Sequence, residues 1–158
     1  MMESSFEKVL VRLAERDVRF IVVGGVAVSL QGYVRLTEDV DLLVEASGTN
    51  IGILLATLAD WGEGFASGLT PSDFDDTEGA IRIVEEVEQC QLDLFTRLSG
   101  RRYADVIADA DTLLLRGHKI RYASKSALIG WKGASVREKD RIDAMALREL
   151  MEDPHAFD

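Results

Sequence analysis

Two glycines, Gly24 and Gly25, end an apolar run that begins at Phe20, and after thirteen intervening residues two aspartates, Asp39 and Asp41, stand one residue apart. Few folds satisfy that combination. The β-branched stretch Arg19 to Val23 predicts a buried strand. The glycine pair breaks it and permits a turn that other residues resist. Val26 to Gln31 reads as a short helix stopped by Gly32, and Asp39 to Glu45 as a second strand. Alternate residues of a strand share a face. Asp39 and Asp41 therefore project together, while Val40 and Leu42 point to the core.

Two adjacent carboxylates repel unless a cation lies between them. A hard divalent ion, Mg2+ or Mn2+, takes oxygen ligands of this kind and completes its shell with water and substrate phosphates. Simple alternation in a half-buried strand also produces Asp-x-Asp, so the pair alone does not decide. A third acid does more. Asp93 lies between Leu92 and Leu94 on the predicted strand Gln89 to Phe95 and faces away from both. If that strand adjoins the first acidic one, three carboxylates converge. Asp93 would then serve as general base on an acceptor hydroxyl and as ligand to the ion beside it. Gly24 and Gly25 offer bare backbone amides to phosphate, or else only a tight turn. The segment is neither Gly-x-Gly-x-x-Gly nor a phosphate loop ending in Gly-Lys-Ser/Thr, which disfavours dinucleotide and P-loop sites.

The remaining pattern mixes helices and strands. A first helix is expected over about 5–16, capped by Ser4 or Ser5, with Phe6, Val9, Leu10 and Leu13 inward. Ser47 to Asn50 caps a helix that carries Ile51, Leu54, Leu55 and Leu58 and ends near Gly62. Residues 62–79 read as a long loop. Ala80 to Val84 and Gln89 to Phe95 suggest a hairpin turning through glutamates, and Thr112 to Leu115 with Lys119 to Ala123 a second one. Between them a short helix spans Tyr103 to Ala110. Ser124 caps a helix through Trp131 and Lys132. A last helix runs from about Val136 to Met151, with Ile142, Met145, Ala146 and Leu150 inward. The expected class is α/β (α+β), a mixed sheet flanked by helices. One domain over 1–158 is expected, with a core at about 18–123 and a C-terminal helical segment at about 124–152.

The net charge of −10 opposes broad binding to nucleic acid. One block departs from it: residues 116–141 hold 8 Lys or Arg against 2 Asp or Glu. The block is either a solvated face or a surface for phosphates. Within it Lys132 and Lys139 are candidate phosphate ligands; Lys139 alternatively pairs with Asp143 four residues on. Asp140 and Asp143 are placed to orient these cations. Arg35 and Thr37 precede the acids and suit a phosphate, or for Arg35 the carboxylates themselves. His118 and His155 lie away from the acids, which disfavours zinc hydrolysis. Cys90 falls on the opposite strand face from Asp93 and is expected in the core. The acidic run Asp73 to Glu78 lacks the glycine and terminal glutamate of a calcium loop. No apolar run approaches the roughly 20 residues that span a bilayer. The first residues lack a secretory leader, so a cytoplasmic setting is expected.

Taken together, Gly24-Gly25, Asp39-Val-Asp41 and Asp93 in Leu-Asp-Leu-Phe resemble the nucleotidyltransferase superfamily of the DNA polymerase β type. The stretch from Gly24 to Asp41, with Trp131-Lys132 and Arg137 to Asp143, looks like its small bacterial branch, which includes the AbiEii/MenT toxin–antitoxin enzymes. The similarity covers about residues 18–150. It implies that Asp39, Asp41 and Asp93 bind metal, that Gly24 and Gly25 cradle the β- and γ-phosphates, and that an NTP is the substrate. The family often carries serine at the second glycine, where this chain has Gly25; Ser29, one turn on, is a candidate substitute. The implied activity is transfer of a nucleoside monophosphate to a hydroxyl or phosphate acceptor. That acceptor would be a tRNA or protein in a toxin–antitoxin system with a partner protein, or a small molecule such as an antibiotic. The alternative is a non-catalytic binding or antitoxin subunit on the same fold.

Overall fold

The structure, a computed structural model, describes residues 5–34, 39–59, 61, 65–74, 80–85, 90–133, 135 and 137–158. Helix α1 (Ser5–Glu15) leads into strand β1 (Phe20–Val23), helix α2 (Gly24–Leu30), strand β2 (Asp39–Val44) and helix α3 (Gly48–Leu58). Two 3-10 turns, Phe65–Gly68 and Pro71–Asp73, precede strands β3 (Ile81–Glu85) and β4 (Cys90–Phe95). Helix α4 (Tyr103–Val106) continues as a 3-10 turn. The hairpin of β5 (Asp111–Leu115) and β6 (His118–Tyr122) follows, and helices α5 (Lys125–Gly133) and α6 (Glu138–Glu152) complete the chain.

The strands form one sheet in the order β3-β4-β2-β1-β6-β5. It is mixed. β1 runs antiparallel to β2 and parallel to β6, and β2 runs parallel to β4. The outer pairs, β3 with β4 and β5 with β6, are antiparallel. The central strands are the apolar ones, as strands covered on both faces should be. Ile21, Val22, Val23, Val40, Leu42, Leu43 and Leu92 have no exposed surface at all. Val9, Leu10 and Leu13 of α1 join this core at helical spacing. α1 packs on β6 and α3, α2 on β1, β2 and α5, and α5 on α6.

Local signals act where the sequence places them. The Ser47 hydroxyl accepts from the Asn50 amide at 3.2 Å and starts α3. The Ser124 hydroxyl accepts from Ala127 at 3.1 Å ahead of α5. Cys90 is buried, as its strand phase requires. The Ser4 cap, the turn through residues 86–89 and the acidic residues 75–78 lie outside the described residues.

The phase of α6 corrects the sequence expectation. Ala146 and Leu150 are buried, but Ile142 and Met145 are 48% and 61% exposed. The face turned to the protein is Asp143, Ala144, Ala146, Leu147 and Leu150. Four of these five are apolar, and the fifth, Asp143, makes an ion pair described below.

Candidate active site

The register between β2 and β4 sets the acids. Asp41 lies directly beside Asp93, and Asp39 beside Gln91. Residues level with one another in paired strands share a face, so all three carboxylates stand on the same side of the sheet. On the other flank of β2, Asp41 is level with Val23, the last residue of β1. The chain turns there into α2 through Gly24, whose φ of +66° is in the left-handed region. Only glycine fits. A Cβ at residue 24 would collide with the Asp41 carboxylate and stand 2.9 Å from its Cγ. Gly25 follows as the second residue of α2.

Asp41 is the group under most electrostatic pressure. Its carboxyl is raised to about 7, and burial is the largest cause. The charge of Asp93, a hydrogen bond with it and the charge of Asp39 push the same way, while Lys132 opposes them. The Asp41 Oδ1 is buried and, among the described residues, has no hydrogen-bond partner. A buried carboxylate oxygen without a donor among like charges is a setting that suits a cation. The donors are all hard oxygens, suited to Mg2+ or Mn2+ rather than to zinc. As the side chains stand, no group of three or more His, Cys, Asp or Glu is gathered around one metal position among the described residues. Asp93 is engaged elsewhere. Arg82 of β3 donates to it from Nε at 3.0 Å and from Nη2 at 3.4 Å, and Gln91 Nε2 lies 3.4 Å away.

A cavity of about 200 Å³ opens beside Asp41 and Gly24. Phe95, Leu98, Leu128 and Trp131 form its apolar wall, with Lys132, Arg137 and Asp140 as its charged one. Lys132 is held from two sides, 3.0 Å from Asp140 Oδ1 and 3.2 Å from Asp143 Oδ2. The Ser135 hydroxyl donates to the other oxygen of Asp140 at 2.7 Å. Burial works against ionising Asp140, but Ser135, Lys132 and Arg137 together hold its carboxyl below the usual range. Trp131 is fixed by its indole N–H, which donates to the Leu98 carbonyl at 3.1 Å, and Arg101 lies 5.7 Å over its ring.

Of the residues named from sequence, Gly24, Asp41 and Lys132 line this cavity; Asp93 lies beside Asp41, Asp39 is two residues back on the same strand face, and Gly25 follows Gly24 in α2. Ser29, further along α2, is not in the cavity wall, and neither is Lys139, which is exposed. Asp143 pairs with Lys132 instead of Lys139. Arg35 and Thr37 lie outside the described residues. Sequence reasoning missed Arg82 and named Arg137 only as one member of the basic block. Arg82 gave a signal only once β3 was known to pair with β4, because its role comes from being level with Asp93.

The match to a known family covers nearly the whole chain: residues 2–155 carry the signature described as "Nucleotidyl transferase of unknown function (DUF2204)". No curated protein matches the chain. Among solved structures it is similar to LnuA, a lincosamide antibiotic adenylyltransferase with lincomycin bound. The identity is 18%, the TM-score 0.63, and 94% of this chain and 97% of that one are covered. It is also similar to an antigenic nucleotidyltransferase-like protein from Paracoccidioides brasiliensis, at 21% identity and TM-score 0.54 over 92% and 76% of the chains. For ANT(2'')-Ia in complex with adenylyl-2''-tobramycin the identity is 17% and the TM-score 0.52 over 95% and 88%. At these identities the structures speak for the fold, a nucleotidyltransferase-like mixed sheet with flanking helices. The family signature speaks for the chemistry, and by it this chain belongs to the nucleotidyltransferases.

Proposed function

We propose that the chain transfers a nucleoside monophosphate from an NTP to a hydroxyl of a small-molecule acceptor, releasing pyrophosphate, with Mg2+ or Mn2+ as cofactor. The observation that carries this reading is the pairing of Asp41 with Asp93 beside Gly24, at the mouth of a cavity walled by Lys132. Asp39, Asp41 and Asp93 would hold the ion, which neutralises charge on the triphosphate and the leaving pyrophosphate. The backbone at Gly24 and Gly25 approaches the phosphates without a side chain in the way. Lys132, kept in place by Asp140 and Asp143, supplies a fixed positive charge to the same phosphates. Asp93 accepts the acceptor's hydroxyl proton as the oxygen attacks the α-phosphorus. Arg82 orients that carboxylate from the edge strand. Catalysis on this reading is mostly positioning and charge neutralisation.

Two features favour a small acceptor over a polymeric one. The chain and LnuA cover one another almost completely, and that relative is by its name an antibiotic adenylyltransferase. A net charge of −10 repels a polyanionic acceptor such as tRNA. A toxin–antitoxin role, with a tRNA or protein acceptor and a partner protein, rests only on the resemblance of residues 24–41, Trp131-Lys132 and residues 137–143 to that branch.

The test is transfer of label from each α-labelled NTP, with Mg2+, to aminoglycoside, lincosamide, tRNA and protein acceptors. The expected result is a labelled small molecule and stoichiometric pyrophosphate. Asp93→Asn should lower the rate by about a hundredfold or more. Label appearing only on tRNA or protein would move the chain to the toxin-like reading. Transfer at the wild-type rate by Asp93→Asn would remove Asp93 from the chemistry.

A further inference from the structure

A second concavity lies at the opposite end of the sheet. Its volume is about 560 Å³, and it is lined by the end of α1, by Arg19 and Phe20, by Tyr103 and by residues 117–119 and 121. Strand β1 separates the two sites. Val23 lines the first and Phe20 the second, about 10 Å apart along the strand. Two residues of the basic block, Lys119 and Arg121, sit here and not at the acids. They are two apart on β6 and so share a face. The parallel register that sets Val22 beside Tyr122 brings Arg19 level with Lys119.

The acids nearby do not balance these charges. Glu45 is paired with Arg19 at 3.0 Å, and Glu15 faces His118 at 3.8 Å. Asp17 is the one carboxylate in the wall. Among the described residues neither Lys119 nor Arg121 pairs with a carboxylate. Arg121 donates from Nη2 to the Ile107 carbonyl at 3.2 Å, and its Nε is buried with no partner among the described residues. The wall carries Arg19, Lys119 and Arg121 against the single carboxylate of Asp17, so its lining is net positive in a chain of net charge −10, a setting that suits an anion. The volume falls in the range of small-ligand sites. The overall acidity opposes a nucleic-acid polymer.

We propose that this cavity binds a small phosphate monoester, held by Lys119, Arg121 and Arg19 with Tyr103 alongside, at a site separate from the one that takes the NTP. Guanidinium and ammonium groups together are the ordinary recognition of phosphate.

The experiment is calorimetric titration in EDTA, which removes divalent metal. AMP, ribose 5-phosphate and inorganic phosphate are added separately to the wild type, to K119M/R121M and to Lys132→Met. Matching circular dichroism and melting curves establish that each variant is folded, and K119R/R121K is the charge-conserving control. The expected result is millimolar or tighter binding of at least one monoester. It should weaken about tenfold or more in K119M/R121M and persist in K119R/R121K and Lys132→Met. AMP alone binding would show that the ring is recognised; all three binding would show that the phosphate suffices. Unchanged affinity in K119M/R121M, loss in Lys132→Met alone, or no binding to the wild type would overturn the proposal. So would binding of a 5′-phosphorylated RNA with none of the three small probes.

Discussion

At residue 41 three demands meet. The side chain must be acidic, it must lie beside Asp93, and it must leave room for a turn that only Gly24 can make. The raised carboxyl carries a testable sign. A group whose folded pKa of about 7 exceeds its unfolded value of 3.8 stabilises the fold fully below the lower value, and that contribution is lost as pH rises through the higher one. Metal-free wild-type protein should therefore lose stability between about pH 4 and pH 7 relative to Asp41→Asn, as measured by urea unfolding at matched pH. A flat difference across that window would show that Asp41 is not perturbed. Added Mg2+ should reverse the trend, since a cation competes with the proton for the same oxygens. Gly24→Ala forces a side chain into left-handed backbone and onto the Asp41 carboxylate. It should destabilise by about 1–3 kcal/mol in the same assay. A variant as stable as wild type would mean the turn can rearrange.

Elements position what residues supply, and here the sequence was unevenly legible. The strand carrying Asp39 and Asp41 announced its phase through Val40 and Leu42. The two hairpins and the caps at Ser47 and Ser124 were readable because their interactions are local. That β4 lies beside β2, level at Asp93, is a long-range pairing between apolar strands that look alike one at a time. The sequence raised it only as a condition for three carboxylates to converge, and the family resemblance implied it. The helix α6 was misphased for a specific reason. Apolar residues occur all round it, so a choice among them by spacing is ambiguous, and Asp143, paired with Lys132 of α5, lies on the face that turns inward. Asp143→Ala leaves Lys132 with one partner in a buried place and should destabilise by roughly 2–4 kcal/mol. Asp140→Ala, whose side chain is 13% exposed against 2%, should cost less. Equal effects in denaturant titrations would contradict the idea that Asp143 locks the helix.

For the whole molecule, the basic block separates into distinct places. Lys132 and Arg137 face the acids, Lys119 and Arg121 line the far cavity, and Lys139 and Arg141 are exposed on α6. Charge read along the chain showed a concentration of cations; the fold decides what each of them meets. Nor did charge reveal the second cavity, which exists only because β6 returns to lie parallel to β1. The fold thus presents the acids with Lys132 and Arg137 at one end of the sheet and Lys119 and Arg121 at the other.

The most direct test of the central claim is calorimetric titration of ATP, CTP, GTP and UTP, each with and without Mg2+, into wild type and Asp41→Asn of matched secondary structure. At least one NTP should bind the wild type in a metal-dependent way and bind Asp41→Asn about tenfold or more weakly. Equal metal-dependent affinity in the two proteins, or no metal-dependent binding of any NTP to the wild type, would contradict the account.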